Sequence, residues 1–288
     1  MDLSTLAELP EVNPEDQPQH QHQDGGRSVS SAFASRPERP PTQTSSQKYS
    51  PLDWLSYFDH EEDVCIPDSN DVFHVYVAGK EGPVVFCLHG GGYSGMGGSV
   101  AVHVAAKKAL PSLAGLVVVD VVEGTAMASL IHMQKILSSR MQHFPSIEKA
   151  IEWSVRGGSL RNIESARVSV PTTLKYDDSK KCYTYRARLE ETEQYWRGWY
   201  EGLSDKFLSS PVPKLLLLAG TDRLDRSLTI GQMQGKFQMV VVRHTGHAIQ
   251  EDVPDEFATL ILNFISRNRI GPHGVEIPGL LRPSQKKP

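Results

Sequence analysis

The stretch VVFCLHGGGYSGMGGSVAVHVAAKK, Val84 to Lys108, constrains the fold more than any other part of the chain. Val84, Val85, Phe86, Cys87 and Leu88 form an unbroken apolar run between Gly82-Pro83 and a cluster of glycines. A run that is apolar at every position, with no alternation, reads as a parallel strand buried on both faces. The glycine-rich turn leads into a helix opened by Gly97-Gly98-Ser99, and Ser94 sits inside the turn. Strand, sharp turn and helix in that order form the setting in which hydrolases place a nucleophile and the donors that hold an oxyanion.

Further runs of the same kind follow. LAGLVVVDVVEG carries Leu116 to Val119, with Asp120 directly after; KLLLLAG spans Lys214–Gly220; FQMVVVRHTGHAI spans Phe237–Ile249. Helical patterns separate them. Ser146 opens SIEKAIEWSV, with Ile147, Ile151 and Val155 as its buried stripe and Trp153 beside it, and PDEFATLILNFISR closes the series with Phe257, Leu260, Ile261 and Phe264 inward. Strands alternating with helices predict an α/β fold, a mostly parallel sheet with helices on both faces. Upstream, EDVCIP (62–67) and DVFHVYVAG (71–79) read as strands near a sheet edge, joined by the turn residues Pro67-Asp68-Ser69-Asn70. SPLDWLSYF offers Trp54, Leu55 and Phe58 to pack a short amphipathic segment on the edge of the domain.

Residues 1–47, rich in Pro, Gln, Ser and His, read as a disordered tail, and the two histidines of QHQHQ, His20 and His22, as part of it rather than as a metal site. The folded domain is expected over 48–270, with a helical cap or insertion over about 125–210, and 271–288 as a second loose tail. Within the insertion, PTTLKYDDSKKC (171–182) reads as a polar surface loop. Tyr195, Trp196, Trp199, Tyr200 and Phe207 form an aromatic set that caps the core or lines a groove. A net charge of −4 gives no electrostatic footing for nucleic acid or a membrane surface. Three unclustered cysteines, Cys65, Cys87 and Cys182, point to reduced thiols in a cytoplasmic or nuclear setting, and no metal or cofactor signature stands out.

Nucleophilic ester chemistry needs a hydroxyl, a histidine to take its proton and an acid to hold that histidine. The chain order Ser…Asp…His is the order of the α/β hydrolases. Ser94 is the candidate nucleophile, Asp120 after LVVV the candidate acid, and His247 in H-T-G-H-A the candidate base. Asp222 and Asp225, after KLLLLAG, compete for the role of acid, and His244 lies three residues from His247. His89-Gly90-Gly91-Gly92 matches an oxyanion-loop motif, since glycines let backbone N–H groups approach a developing oxyanion without a Cβ in the way. Gly91, Gly92 and Met96 are the candidate donors.

Together LHGGGYSG, MGGSVAVH, DVVEGTAM, IEWSV, RNIESARVS, PKLLLLAGTDRLD, LTIGQMQGKFQM and HTGHAIQEDVPD resemble the protein phosphatase methylesterase family, over about Pro51 to Ile265, with the tails and the 171–182 insertion similar to plant members. The resemblance implies a serine esterase that removes the methyl ester from the C-terminal leucine of the protein phosphatase 2A catalytic subunit. It also implies Asp120 as acid, preferred over Asp222, and His247 as base. One departure stands out. In the family the HGGG loop and the nucleophile are separated by two strand–helix units, and the nucleophile sits in G-H-S-M-G-G. Here HGGGYSG runs straight into MGG; Gly95 precedes Met96, and Ser94 stands where the motif has histidine. A strand–helix unit takes ~30 residues, so on the order of 60 are missing from this chain. The expectation is a splice variant or a misassigned gene model, with impaired chemistry and VVFCL taking the place of the lost nucleophile strand. The alternative is a catalytically inactive phosphatase-binding protein.

Overall fold

The structure, a computed structural model, describes residues 48–90, 96–220, 224–272, 274 and 275. Its centre is a parallel sheet of β3 (Leu116–Val119), β7 (Lys214–Leu218) and β8 (Gln238–Val241), with β7 in the middle. All five residues of β7 are buried. Leu216 and Leu218 face one cluster, shared with Val102 and Ala105 of α1 (Met96–Lys107) and with Leu203 and Phe207 of α6 (Leu203–Ser209). Leu215 and Leu217 face another, with Val242, Ile249 and Phe264, the last from α9 (Pro254–Arg267). With apolar cover on both faces, a strand has no polar position to fill, which is why KLLLL lacks alternation. Each fully buried leucine here stabilises the fold by roughly 1.5–3 kcal/mol.

Between β3 and β7 lies the helical insertion. It runs through α2 (Glu123–Ser139), β4 (His143–Phe144), α3 (Ile147–Arg156), α4 (Ile163–Thr172), β5 (Leu174–Asp177), β6 (Cys182–Tyr185), α5 (Glu193–Tyr200) and α6. Ser146 caps α3 as expected, its hydroxyl accepting from Lys149 N–H at 3.3 Å, and Ile151 is fully buried beside Phe144 and Leu160. The aromatic set caps the core: Trp196, Tyr200 and Phe207 are buried and Trp199 packs against them, while Tyr195 stays exposed. After β7 come α7 (Arg226–Met233), β8, the single turn α8 (Ile249–Asp252) and α9. A two-residue ladder, β9 (Ile270–Gly271) with β10 (Gly274–Val275), follows α9.

Three readings of the sequence need correction. First, 171–182 is not a surface loop alone: β5 and β6 form an antiparallel hairpin, and β4 pairs on the far side of β6. The Asp177 carboxylate makes the turn by accepting from Ser179 N–H and Lys180 N–H. Tyr176 and Tyr183 face each other across the strands, and that pair outweighs the polar composition of the intervening turn. Second, Leu55 is exposed; Trp54 and Phe58 pack on Tyr76, and Leu52 N–H donates to the Arg167 carbonyl at 3.0 Å. Tyr76 belongs to β2 (Val72–Val77), which pairs antiparallel with β1 (His60–Cys65) as a two-stranded sheet of its own.

Third, Val84–Leu88 is not a strand. It has no sheet partner, and Val84 and Phe86 are 92% and 73% exposed. The backbone of Leu88 and His89 instead lies against the first turn of α1, so close to Gly97 that a Cβ there would overlap both carbonyl oxygens. A segment drawn across the front of α1 cannot also run alongside β3. The apolar run recorded a need for burial, and the element that meets that need is absent from β3's free side among the described residues.

Candidate active site

Two loops at the carboxyl ends of β3 and β8 meet beside the end of β7. Asp120 follows β3 directly and adopts a left-handed backbone, φ 50°. That conformation is unfavourable for most L-residues but tolerable for aspartate, and it costs about 1–2 kcal/mol. Two hydrogen bonds offset it: Asp120 N–H donates to the Leu217 carbonyl at 2.7 Å, and Asp120 Oδ1 accepts from Ala219 N–H at 2.9 Å. Both partners belong to the end of β7. The turn therefore throws the carboxylate across the central strand toward the loop after β8.

That loop carries His247. Val242 extends the β8 ladder through its N–H to the Leu218 carbonyl, 2.8 Å, and is fully buried. Thr245 Oγ1 donates to the Val242 carbonyl at 3.1 Å, and Ala248 and Ile249 are buried on the other side of His247. His247 Nδ1 lies 2.8 Å from Asp120 Oδ2. The Asp120 side chain is fully buried, whereas that of His247 is 34% exposed. A carboxylate oxygen only accepts, so the contact places the proton on Nδ1 and leaves Nε2 as the acceptor. Among the described residues nothing hydrogen-bonds Nε2. The pair can hold an imidazole in one tautomer and take a proton from a hydroxyl brought to Nε2.

Of the competitors, Asp225 and His244 fall elsewhere. Asp225 caps α7, its Oδ1 accepting from Leu228 N–H at 2.9 Å and its Oδ2 from Ser204 Oγ. His244 is exposed, in a left-handed turn. Asp222 lies outside the described residues, as do Ser94, Gly91 and Gly92. Met96 opens α1 and packs on the cluster of Leu137, Leu189 and Trp196. The first N–H groups of such a helix have no intrahelical partner, and in this turn the Leu88 and His89 carbonyl oxygens lie close by. Sequence reasoning missed two residues that shape the site. Ala219 N–H orients Asp120, and Asp252 braces the histidine loop by accepting from Gly246 N–H at 2.6 Å. The acidic pair Glu251-Asp252, four and five residues past the histidine, was the available signal for the second.

Among the described residues there is no cluster of three or more metal-ligating side chains, and no helix long and apolar enough to cross a membrane. Cys65 and Cys87 are exposed and Cys182 is half-buried, and none of the three is in a disulfide.

The model of the alpha/beta hydrolase family matches residues 25–260. The chain is similar to the probable protein phosphatase methylesterase 1 of Caenorhabditis elegans, 40% identical over 304 residues that cover 81% of this chain and 83% of that protein. It is 38% identical to the human protein phosphatase methylesterase 1 over 331 residues, covering 77% of this chain and 86% of that one. Of 288 residues, those shares are about 233 and 222. The matched stretches thus hold about 70 residues of the worm protein and about 110 of the human one with no counterpart here. Among solved structures, E-2-(acetamidomethylene)succinate hydrolase is similar with a TM-score of 0.48 at 19% identity, over 59% of this chain and 64% of that one.

Proposed function

This chain belongs to the protein phosphatase methylesterase family of α/β hydrolases, and from that premise we propose that it is a carboxylic-ester hydrolase acting on the methyl-esterified C-terminal leucine of the protein phosphatase 2A catalytic subunit, with its chemistry impaired. The observation that carries the reading is the 2.8 Å contact between His247 Nδ1 and Asp120 Oδ2 at adjoining strand ends.

In this reading Asp120 holds the imidazole and His247 Nε2 takes the proton from a serine hydroxyl. The serine oxygen attacks the ester carbonyl, and His247 returns the proton to the departing methanol. Water then repeats the sequence on the acyl-enzyme. Backbone N–H groups of Gly91, Gly92 and Met96 are the proposed oxyanion donors, Met96 being at the start of α1. Ser94 is the hydroxyl that this chain can offer.

Two observations support impairment. The residues of the worm and human relatives without counterpart here are numerous enough to contain the two strand–helix units between the HGGG loop and the family's nucleophile. The Leu88 and His89 carbonyl oxygens also crowd the first turn of α1, where an oxyanion needs donors rather than acceptors. Without a placed nucleophile, turnover falls by roughly four to six orders of magnitude. The test is demethylation of a methyl-esterified phosphatase tail peptide. The expected result is a residual rate that drops further in His247→Ala. A rate on the order of 1–10³ s⁻¹, lost in Ser94→Ala, would overturn the impairment. A residual rate indifferent to both His247→Ala and Asp120→Ala would overturn the site.

A further inference from the structure

We infer that Asp252 is a positioning residue for His247, and that through it the helical insertion sets the orientation of the base. The inference rests on the reading of His247 as the base, and it starts from a single carboxylate that joins two distant parts of the chain. Asp252 Oδ2 accepts from Gly246 N–H at 2.6 Å, and Oδ1 accepts from Arg161 N–H at 2.8 Å. Gly246 immediately precedes His247; Arg161 lies in the connection between α3 and α4.

The residue on the other side of His247 is fixed to the same body. Ala248 is buried in the cluster formed by Phe144, Ile151, Leu160 and Ala166 of the insertion. Glu251 Oε2 adds a further tie, accepting from Ser169 Oγ of α4 at 2.6 Å. Both neighbours of His247 are thus pinned to the insertion, one by two charge-assisted hydrogen bonds and one by packing. Asp120 by itself fixes the tautomer and one end of the ring. The direction of Nε2 depends on where the backbone at 246–248 stands, and a displacement of about 1 Å there costs on the order of a hundredfold in rate. Space for error is small: a Cβ added at Gly246 would lie 3.3 Å from Asp252 Oδ2.

The test uses the low-field NMR resonance of the proton shared by His247 Nδ1 and Asp120, which does not require turnover. In Asp252→Asn one acceptor oxygen becomes a donor facing a backbone N–H. The expected result is a several-fold faster solvent exchange of that proton, with the rest of the amide spectrum retained. Residual ester turnover should fall in kcat, by roughly a hundredfold, with KM unchanged. Glu251→Gln, which keeps an acceptor for Ser169, should leave the resonance in place. An unchanged exchange rate in a folded Asp252→Asn protein would overturn the inference. Should that variant not fold, the unsubstituted chain decides. Amide exchange at Gly246 and Arg161 should follow that of the His247 proton as temperature rises, and independent exchange would overturn it. Loss of the resonance in Asp120→Asn, with turnover indifferent to His247→Ala, would instead count against the reading of the site and leave the brace standing.

Discussion

At the scale of single residues, two titratable groups make the structure's stability depend on pH with the same sign for different reasons. His74 on β2 is held by Asp63, Nδ1 to Oδ1 at 2.7 Å, and by Glu61, Nε2 to Oε2 at 3.0 Å. Those bonds, Asp63 first and then Glu61, raise its pKa above the ordinary histidine value. A histidine that gains affinity for its proton on folding stabilises the folded form fully below about pH 6.5 and loses that contribution as pH climbs through its higher folded value. Amide protection factors in the β1–β2 hairpin should therefore fall across that window, and His74→Gln should flatten the profile; protection that rises would contradict it. Glu251 is pushed up by burial, partly opposed by Ser169. Its folded form holds a proton that the unfolded chain has released, so stability declines as pH rises from about 4.3 through the folded value. Glu251→Gln should raise the melting temperature at neutral pH and remove that slope. A lower melting temperature would show that the charge itself is needed.

At the scale of elements, caps and close approaches decide most. Asp225→Ala removes the side-chain cap of α7 and the acceptor for Ser204, and should cost about 1–2 kcal/mol by urea denaturation. Gly97→Ala places a Cβ against the Leu88 and His89 backbone and should cost about 1–3 kcal/mol; a neutral outcome would mean that the 88–89 crossing is not held there. The sequence was most legible where one physical signal had one solution. KLLLL had to be a strand buried on both faces, LVVV and MVVV were strands by their β-branched runs, and Ser146 before an amphipathic stripe had to open a helix. It was least legible where composition spoke without naming a partner. Val84–Leu88 carries the same signature as β7, yet a strand exists only if a neighbour offers its ladder. The 171–182 segment hid a hairpin because turn residues dominate its composition, while its pairing depends on Tyr176, Tyr183 and a third strand forty residues upstream. Asp120 and His247 could be picked out because Asp120 directly follows β3 and His247 lies in the loop after β8; the acidic pair holding Asp252 did not name its partners Gly246 and Arg161.

At the scale of the whole molecule, the α/β-hydrolase core has a central strand with apolar cover on both faces and a carboxylate–imidazole contact beside it, while Val84–Leu88 lies outside the sheet. The pair draws on the ends of β3, β7 and β8, on α8 and on the insertion. Leu217→Ala, at the middle of that support, should cost about 2–5 kcal/mol in global stability, read by thermal melting. The proposed loss of function is correspondingly local: it lies with the nucleophile, while the Asp120–His247 contact is in place. The most direct measurement is covalent labelling of the purified chain by a fluorophosphonate probe, with the modified residue located by mass spectrometry. The account predicts labelling at a small fraction of stoichiometry, with no dominant site. Stoichiometric labelling at Ser94 that disappears in His247→Ala would contradict it.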